Sequence, residues 1–332
     1  MSDRYARQLL IENWDQTRIT ESTVTVVGLG ALGTVVAASL AMAGVGKLIL
    51  IDFDTIEVSN LNRQLFYRET DVGKSKVSVA AKALKEINPS ITIEEITCAI
   101  EKVPHDLLAR SNVIVEGLDT FKVRRWLNAF VVNAKIPLIS GGMYGFFGNI
   151  QVVIPYQTPC LECQSLIPEH ELQKACTPFG EVRKEIREVI EEKKFIPSVS
   201  SVSLVIGGLM AQETLKIING IPTMNNFLFW DGESGQFTSV PLERRKTCFV
   251  CSDTYHLDII PIYSSKHQKI SEFIEQLRYS FNLSLEMKIL YDTRHMAITD
   301  AQIGTELQNG EIFRVIDPSI PTPLKFKIYL NE

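Results

Sequence analysis

Apolar and polar positions along this chain fall into two kinds of block. Short apolar runs rich in β-branched residues occur at 24–27, 48–51, 91–96, 112–117, 137–140 and 149–154, and each predicts a strand. Longer segments with helical period separate them: an Ala-rich stretch at 34–43, an amphipathic stretch at 77–87 ended by Asn88-Pro89, and 120–132. Residues 3–14 predict a short helix ahead of the first strand. Strands alternating with helices define an α/β chain with a Rossmann-like, mostly parallel sheet and helices on both faces. Beyond 154 the pattern predicts an amphipathic helix at 182–194, a buried helix at 202–218, and strands at 227–230 and 237–240. After 251 the character changes to a strand at 256–262, a helix at 269–281 and strands at 283–290, 311–317 and 324–330. We therefore expect a main domain at 1–253, with a crossover segment near 164–200, and a small α+β domain at 254–332.

The boundary between the first strand and the first long helix carries the strongest local signal. Gly28, Gly30 and Gly33 stand at GxGxxG spacing, and the second strand ends at Asp52, 24 residues after Gly28. Bare backbone lets a phosphate approach, a helix N-terminus offers N–H groups, and an acid on the second strand can hold ribose hydroxyls. Alone, this unit indicates a dinucleotide. The alternative, glycines serving only tight helix–strand packing, explains less of the pattern.

Composition narrows the class. At 332 residues the chain is longer than one core usually holds. A net charge of −5 argues against nucleic acid as a bulk partner. There is no signal-peptide pattern at the start, and the apolar stretch 201–218 is interrupted by Gln212, Glu213 and Lys216, so no membrane span is expected. The six cysteines, two CxxC pairs plus Cys98 and Cys176, suit a cytoplasmic chain that uses thiols for metal or catalysis.

Polar residues change the reading of the glycine turn. Asp54, Asn60, Arg63 and Lys76 follow Asp52, and Asp119 stands just past the fourth strand. Lys76 at a helix start opposes the helix dipole, which helix stability does not explain. Asp119 suits a ligand site at a strand's carboxyl end, and it equally suits capping of the helix that follows. Arg4 and Arg7 share one face of the predicted first helix and read locally as a solvated surface. Fixed cations suit a triphosphate, and Asp119 suits Mg²⁺ held between carboxylate and phosphate oxygens. The set therefore favours ATP over a nicotinamide cofactor. The implied chemistry is attack of a carboxylate on the α-phosphate, giving an acyl-adenylate.

Cys160 and Cys163 form one CxxC pair, and Cys248 and Cys251 the other. Each pair can place two thiolates on one tetrahedral ion, so together they predict a closed zinc site clipping two distant segments. The alternative is four reduced, metal-free thiols. Cys176 lies in a Cys-Thr-Pro turn near Lys174, and local evidence leaves it open between a merely exposed thiol and a reactive one.

VGLGALG, IDFDTIEVSNLNRQ, DVGKSK and GLDT together closely resemble the adenylation domain of the E1 superfamily (ThiF/MoeB/HesA type), over roughly residues 3–252. That superfamily includes ubiquitin-activating enzymes and bacterial activators of sulfur-carrier proteins. The resemblance implies ATP, Mg²⁺ and Zn²⁺ as cofactors. It puts Asp52 on the ribose, Asn60, Arg63 and Lys76 on the phosphates, and Asp119 on the magnesium. Arg7, in RYARQ, matches an arginine that reaches the other subunit's site, which implies a homodimer. The cysteine clip matches the family's zinc site, and Cys176 matches the cysteine that accepts the modifier. More diffusely, 254–332, through NGEIFRVID and LKFKIYL, is similar to the β-grasp, ubiquitin-fold domain that recruits an E2 enzyme.

The resemblance thus implies a compact, archaeal-type E1-like enzyme. It would adenylate the C-terminal glycine of a ubiquitin-like protein, carry it as a thioester on Cys176, and pass it to an E2 docked on 254–332. The chain departs from full-size E1s in lacking a large catalytic-cysteine domain. The alternative is an adenylyltransferase for a sulfur carrier of the molybdopterin or thiamin type, with the same adenylation residues. An inactive scaffold subunit is a third reading, disfavoured because Asp52, Arg63, Lys76 and Asp119 are all present.

Overall fold

The computed structural model describes residues 3–163, 197–224, 226–245, 248, 250–251, 259–285, 287–291, 303–317 and 324–331. Cys176, the predicted helix at 182–194, most of the crossover segment and the expected boundary at 253/254 lie outside the described residues.

Eight strands form one sheet in the order β3-β2-β1-β4-β5-β6-β7-β8. They are β1 (Thr23–Val27), β2 (Lys47–Ile51), β3 (Thr92–Ile96), β4 (Val113–Glu116), β5 (Leu138–Tyr144), β6 (Phe147–Val153), β7 (Phe227–Asp231) and β8 (Gln236–Val240). The first five pair in parallel, and β5 through β8 pair antiparallel. The antiparallel half follows from connection length. Only Gly145 and Phe146 join β5 to β6, too few for the crossover a parallel neighbour requires.

Both faces of the parallel half are covered, which is why its strands are apolar throughout rather than alternating. Val24, Val26, Leu48, Leu50, Val113 and Val115 face a core shared with α2 (Ala31–Ala43) and α3 (Lys76–Ile87). Val27, Ile49, Ile51 and Ile114 face the opposite core, with α5 (Phe121–Ala134). Helix α6 (Ser200–Asn219) joins the first core through Val202, Ile206 and Met210. It is long and apolar enough to cross a membrane by length and composition, but here it packs along α2 and β5. A Cβ on Gly207 would meet Val35 Cβ at 2.7 Å, so glycine sets how closely the two helices approach.

The start of the chain differs from expectation. Residues 3–14 form two short 3₁₀ turns, Asp3–Tyr5 and Gln8–Leu10, in place of a helix. A helix missed by the hydrophobic pattern, α1 (Gln16–Glu21), follows, capped by the Asp15 carboxylate on Thr17 N and Arg18 N. The turns are held by long-range contacts. Tyr5 lies against Gly44 and its hydroxyl accepts from Asn88 Nδ2, and Gln8 Nε2 donates to Ala43 O. A further short helix, α4 (His105–Leu108), precedes β4.

A second sheet, in the order β10-β11-β12-β9, comprises β9 (Ile260–Ser265), β10 (Lys288–Tyr291), β11 (Ile312–Ile316) and β12 (Leu324–Asn331). First and last strands are parallel neighbours, and the other pairings are antiparallel. Helix α7 (Ile270–Phe281) buries Ile270, Phe273 and Leu277 in a separate core with Phe313, Phe326 and Ile328, and a short helix α8 (Ile303–Glu306) adds Ile303. The strand expected at 283–290 is confined to β10, because Asn282 adopts a left-handed conformation that stops α7 and starts a turn.

Candidate active site

Strand order reverses between β1 and β4, so the turns leaving these strands diverge and open a crevice at their carboxyl ends. A cavity of about 550 Å³ occupies it, within the range of about 300–1,000 Å³ usual for small-molecule sites. Gly28, Gly30, Asp52, Asp54, Asn60, Arg63, Lys76 and Asp119 all line it. The fold thus gathers residues from four separate segments around one cavity.

The glycines play different parts. Gly28 has φ +83°, a left-handed backbone that favours glycine, and turns the chain out of β1. Gly33 does not line the cavity: a Cβ there would sit 1.8 Å from Gly28 O, so it serves close packing of α2 on the turn. Gly30 is the N-cap of α2, without a side-chain cap bond, and a Cβ there would meet only Gln64 Nε2, at 3.9 Å. Nothing in the protein itself crowds Gly30. A phosphate approaching the uncapped N–H groups of α2 would.

Asp52 is buried at the end of β2 and locks two loops. Its carboxylate accepts from Leu29 N at 2.6 Å and Asp54 N at 2.8 Å. Burial pushes its pKa above the usual carboxylate range, opposed by the nearby Lys76 ammonium and by these backbone donors. Lys76 is buried, and its Nζ lies 2.7 Å from Asp54 Oδ2. The cation that opposes the α3 dipole is therefore held by a carboxylate at the cavity wall. Arg63 is half-buried and its Nη1 donates to Ser59 O at 2.7 Å and Asn62 Oδ1 at 2.9 Å. Burial lowers its pKa. Asn60 is committed to the local turn, where its Oδ1 accepts from Glu57 N at 3.0 Å.

Asp119 is exposed at the cavity wall and makes no ion pair among the described residues. It is not the cap of the following helix. Helix α5 begins at Phe121 with Thr120 as N-cap, so Asp119 stands one residue too early. A carboxylate not engaged by a cation, beside uncapped helix N-termini, fits the one-carboxylate-plus-phosphate coordination that Mg²⁺ prefers. Arg7 is exposed and does not line this chain's cavity.

Several residues at or just behind the cavity wall escaped the sequence reading. Tyr67 is buried beneath the turn, and its hydroxyl donates to Leu29 O at 2.9 Å, tying the glycine loop to the chain before α3. Gln64 and Arg124 are buried and line the wall. Gln64 directly follows Arg63 in the NLNRQ motif, which was the available signal. Arg124 had none, because its role rests on residues up to 17 positions away.

The two cysteine pairs meet on the α5 face of the sheet. Cys160, Cys163, Cys248 and Cys251 are all buried, with their sulfurs within 4.8 Å of one another. Sγ–Sγ separations are 3.6 Å for Cys160–Cys248 and 3.2 Å for Cys163–Cys251. Disulfides need about 2.05 Å, whereas thiolates around one Zn²⁺ stand about 3.8 Å apart, given Zn–S near 2.3 Å. The donor set fits zinc. Burial pushes the Cys160 thiol well up, so thiolates packed this closely require a cation. Arg245 N donates to Cys163 Sγ at 3.4 Å, Leu161 N donates to Asn128 Oδ1 of α5 at 3.0 Å, and Arg125 pairs with Glu162. These contacts fasten the cluster to α5.

This fold and site define an adenylyltransferase of the E1 superfamily. The chain belongs to the ThiF family, whose model matches residues 5–250. It is 34% identical over 255 residues to a molybdopterin-synthase adenylyltransferase of Salmonella typhimurium, covering 75% of this chain and 95% of that one. It is 26% identical over 394 residues to the NEDD8-activating enzyme E1 catalytic subunit of Dictyostelium discoideum, covering 93% of this chain and 88% of that one. Among solved structures, Escherichia coli MccB with ATP superposes with a TM-score of 0.62 at 27% identity, covering 76% of this chain and 75% of that one.

Proposed function

We propose that this chain is an E1-like activating enzyme for a ubiquitin-like protein. The observation that carries the adenylation step is the convergence of Asp52, Lys76, Arg63 and Asp119 on one cavity beside an uncapped helix N-terminus. In the reaction, a carboxylate oxygen of the modifier's C-terminal glycine attacks the α-phosphorus of ATP. The bond to the bridging oxygen breaks, and pyrophosphate leaves with that oxygen. Asp52 accepts the ribose hydroxyls. Lys76 and Arg63 hold the phosphates where negative charge accumulates, and charge fixed in a half-buried site acts without reorganisation. Asp119 would hold Mg²⁺ at the cavity wall, and the ion would supply further neutralisation of that charge. Arg7, which is exposed and does not line its own chain's cavity, serves the partner's site in a homodimer. The cysteine cluster holds zinc in a structural role.

The Cys176 thiolate then attacks the acyl carbon and expels AMP, leaving a thioester. Full-length similarity to a protein named as a NEDD8-activating subunit supports this reading over a carrier adenylyltransferase. So does the second sheet, whose parallel first and last strands and packed helix resemble a β-grasp domain. On that sheet Tyr263 is 60% exposed and stacks on Tyr329 at 5.4 Å, an aromatic patch suited to an E2 enzyme. The test is mass spectrometry of the protein incubated with ATP and ubiquitin-like proteins ending in glycine. A thiol-reducible conjugate, lost in Cys176→Ala, is expected. Similarity to the molybdopterin-synthase adenylyltransferase favours a second reading, sulfur-carrier activation. A thiocarboxylate product without conjugate would select it.

A further inference from the structure

Beneath the turn that carries Asp119 lies a buried charge pair that the adenylation chemistry does not use. Glu116, the last residue of β4, is completely buried, as are Ser140 and, nearly so, Arg124. Arg124 Nε lies 3.5 Å from Glu116 Oε2. A buried pair of this kind is not a ready source of stability, because desolvation of both charges offsets their attraction. What distinguishes it is where its remaining hydrogen bonds go.

Three of them go to the residue immediately before Asp119. Leu118 N donates to Glu116 Oε2 at 2.9 Å. Leu118 O accepts from Arg124 Nε at 2.9 Å and from Arg124 Nη2. Both polar groups of one loop residue are thus held by side chains, one by each member of the ion pair. The 118–119 peptide plane is fixed from the carbonyl side, and that plane sets the direction in which Asp119 leaves the backbone. The pair is itself anchored to the next strand. Arg124 Nη2 donates to Gly141 O at 2.6 Å, and the Ser140 hydroxyl donates to Glu116 Oε1. Ser140 and Gly141 lie in β5 just before Gly142 and Met143, which line the same cavity. An exposed carboxylate on a loop has many orientations open to it. This one is mounted on a peptide clamped to two strands.

We infer that Arg124 and Glu116 act together as positioning residues for the cation site at Asp119, setting the carboxylate's direction rather than touching nucleotide or metal. Lysine cannot replace Arg124, because a single ammonium lacks the planar fork that reaches Leu118 O and Gly141 O together. The inference rests on the nucleotide-binding reading above.

The test compares affinities for α,β-methylene ATP with and without Mn²⁺, by calorimetry, in wild-type protein, Arg124→Lys, Asp119→Asn and the double variant. In wild type, Mn²⁺ tightens nucleotide binding. In Arg124→Lys that enhancement is expected to fall about 10–100-fold, the usual effect of losing a partner that orients a metal ligand, a larger loss than any in metal-free affinity, which Arg124 can alter as a residue of the cavity wall. The double variant is expected to lose no more than Asp119→Asn alone, since both changes act on one carboxylate. Equal weakening with and without Mn²⁺, or additive losses in the double variant, would overturn the assignment. Absence of nucleotide binding by wild type under either condition would instead overturn the underlying reading, and this inference with it. If Arg124→Lys fails to fold, Ser140→Ala removes one support of Glu116 and keeps the charge pair. Its Mn²⁺ enhancement should fall about fivefold, the worth of roughly one hydrogen bond. An unchanged enhancement there would equally overturn it.

Discussion

Gly30 and Gly33 stand three residues apart in one motif, yet the geometry requires opposite responses to alanine. At Gly33 an added Cβ would lie 1.8 Å from Gly28 O and 2.9 Å from Gly28 C, where ordinary contact begins at 3.4 Å. Both obstructing atoms are backbone, in a turn fixed by the Asp52 carboxylate, so neither can swing aside. The helix and the turn must separate by more than an ångström in a closely packed core. Overpacking of this kind costs about 1–3 kcal/mol and here belongs at the top of that range or beyond. The gain from replacing a mid-helix glycine, about 0.5–1 kcal/mol, does not offset it. At Gly30 the nearest neighbour is a side-chain amide at 3.9 Å and φ is −82°. Loss of glycine at this N-cap costs at most about 1 kcal/mol, a shift of roughly 2–4 °C in a chain of this size. Its methyl group, however, stands where phosphate would approach. The assay is thermal unfolding with and without ATP, together with ATP affinity by calorimetry. Gly33→Ala should melt well below wild type, or fail to accumulate. Gly30→Ala should melt within a few degrees of wild type and bind ATP at least tenfold more weakly. Wild-type ATP affinity in Gly30→Ala would refute the assignment of this turn to the phosphates. Wild-type stability in Gly33→Ala would refute the packing argument.

Other expectations follow from the site. Lys76→Met should reduce ATP–pyrophosphate exchange by about two to three orders of magnitude, comparable with losing one preorganised donor to a charge-developing site; a change below fivefold would remove Lys76 from the chemistry. Because burial raises the Asp52 pKa, acidification should protonate it early and weaken ATP binding as pH falls through that raised value, whereas Asp52→Asn should give a flat profile. The linkage sign for the free protein is the reverse: the folded chain holds this proton more tightly than the unfolded chain, so the Asp52 contribution to stability declines as pH rises through the same window. Metal analysis should find one zinc per chain, and Cys248→Ser or strong chelation should destabilise the fold by several kcal/mol; a chelated protein that melts unchanged would contradict a structural metal. Tyr263→Ala should leave pyrophosphate exchange intact and slow transfer from the thioester to an E2 enzyme, and equal loss of both would move Tyr263 out of a docking role.

Hydrophobic pattern and motif spacing specified the parallel half of the sheet and many of the residues that the fold gathers around the cavity. Strands buried on both faces must be apolar throughout, and a glycine turn between a strand and a helix has few other uses, so Val24–Asp52 was legible from periodicity alone. Asn60, Arg63, Lys76 and Asp119 were legible because each breaks a local expectation or belongs to a dense motif. Periodicity reports that a strand is buried, however, and not which neighbour it pairs with. The antiparallel β5–β8 extension therefore appeared only in the tertiary structure, as did the 3₁₀ turns before α1, which depend on Asn88 and Gly44 far along the chain. The split between Gly30 and Gly33 was likewise invisible, since both read as glycine until the atoms opposite them were placed. The same holds for the Glu116–Arg124–Ser140 network and for the convergence of the two cysteine pairs. Charges and thiols tens of residues apart acquire meaning only when the fold brings them within hydrogen-bonding or ligating distance, and burial then makes an unpaired partner costly.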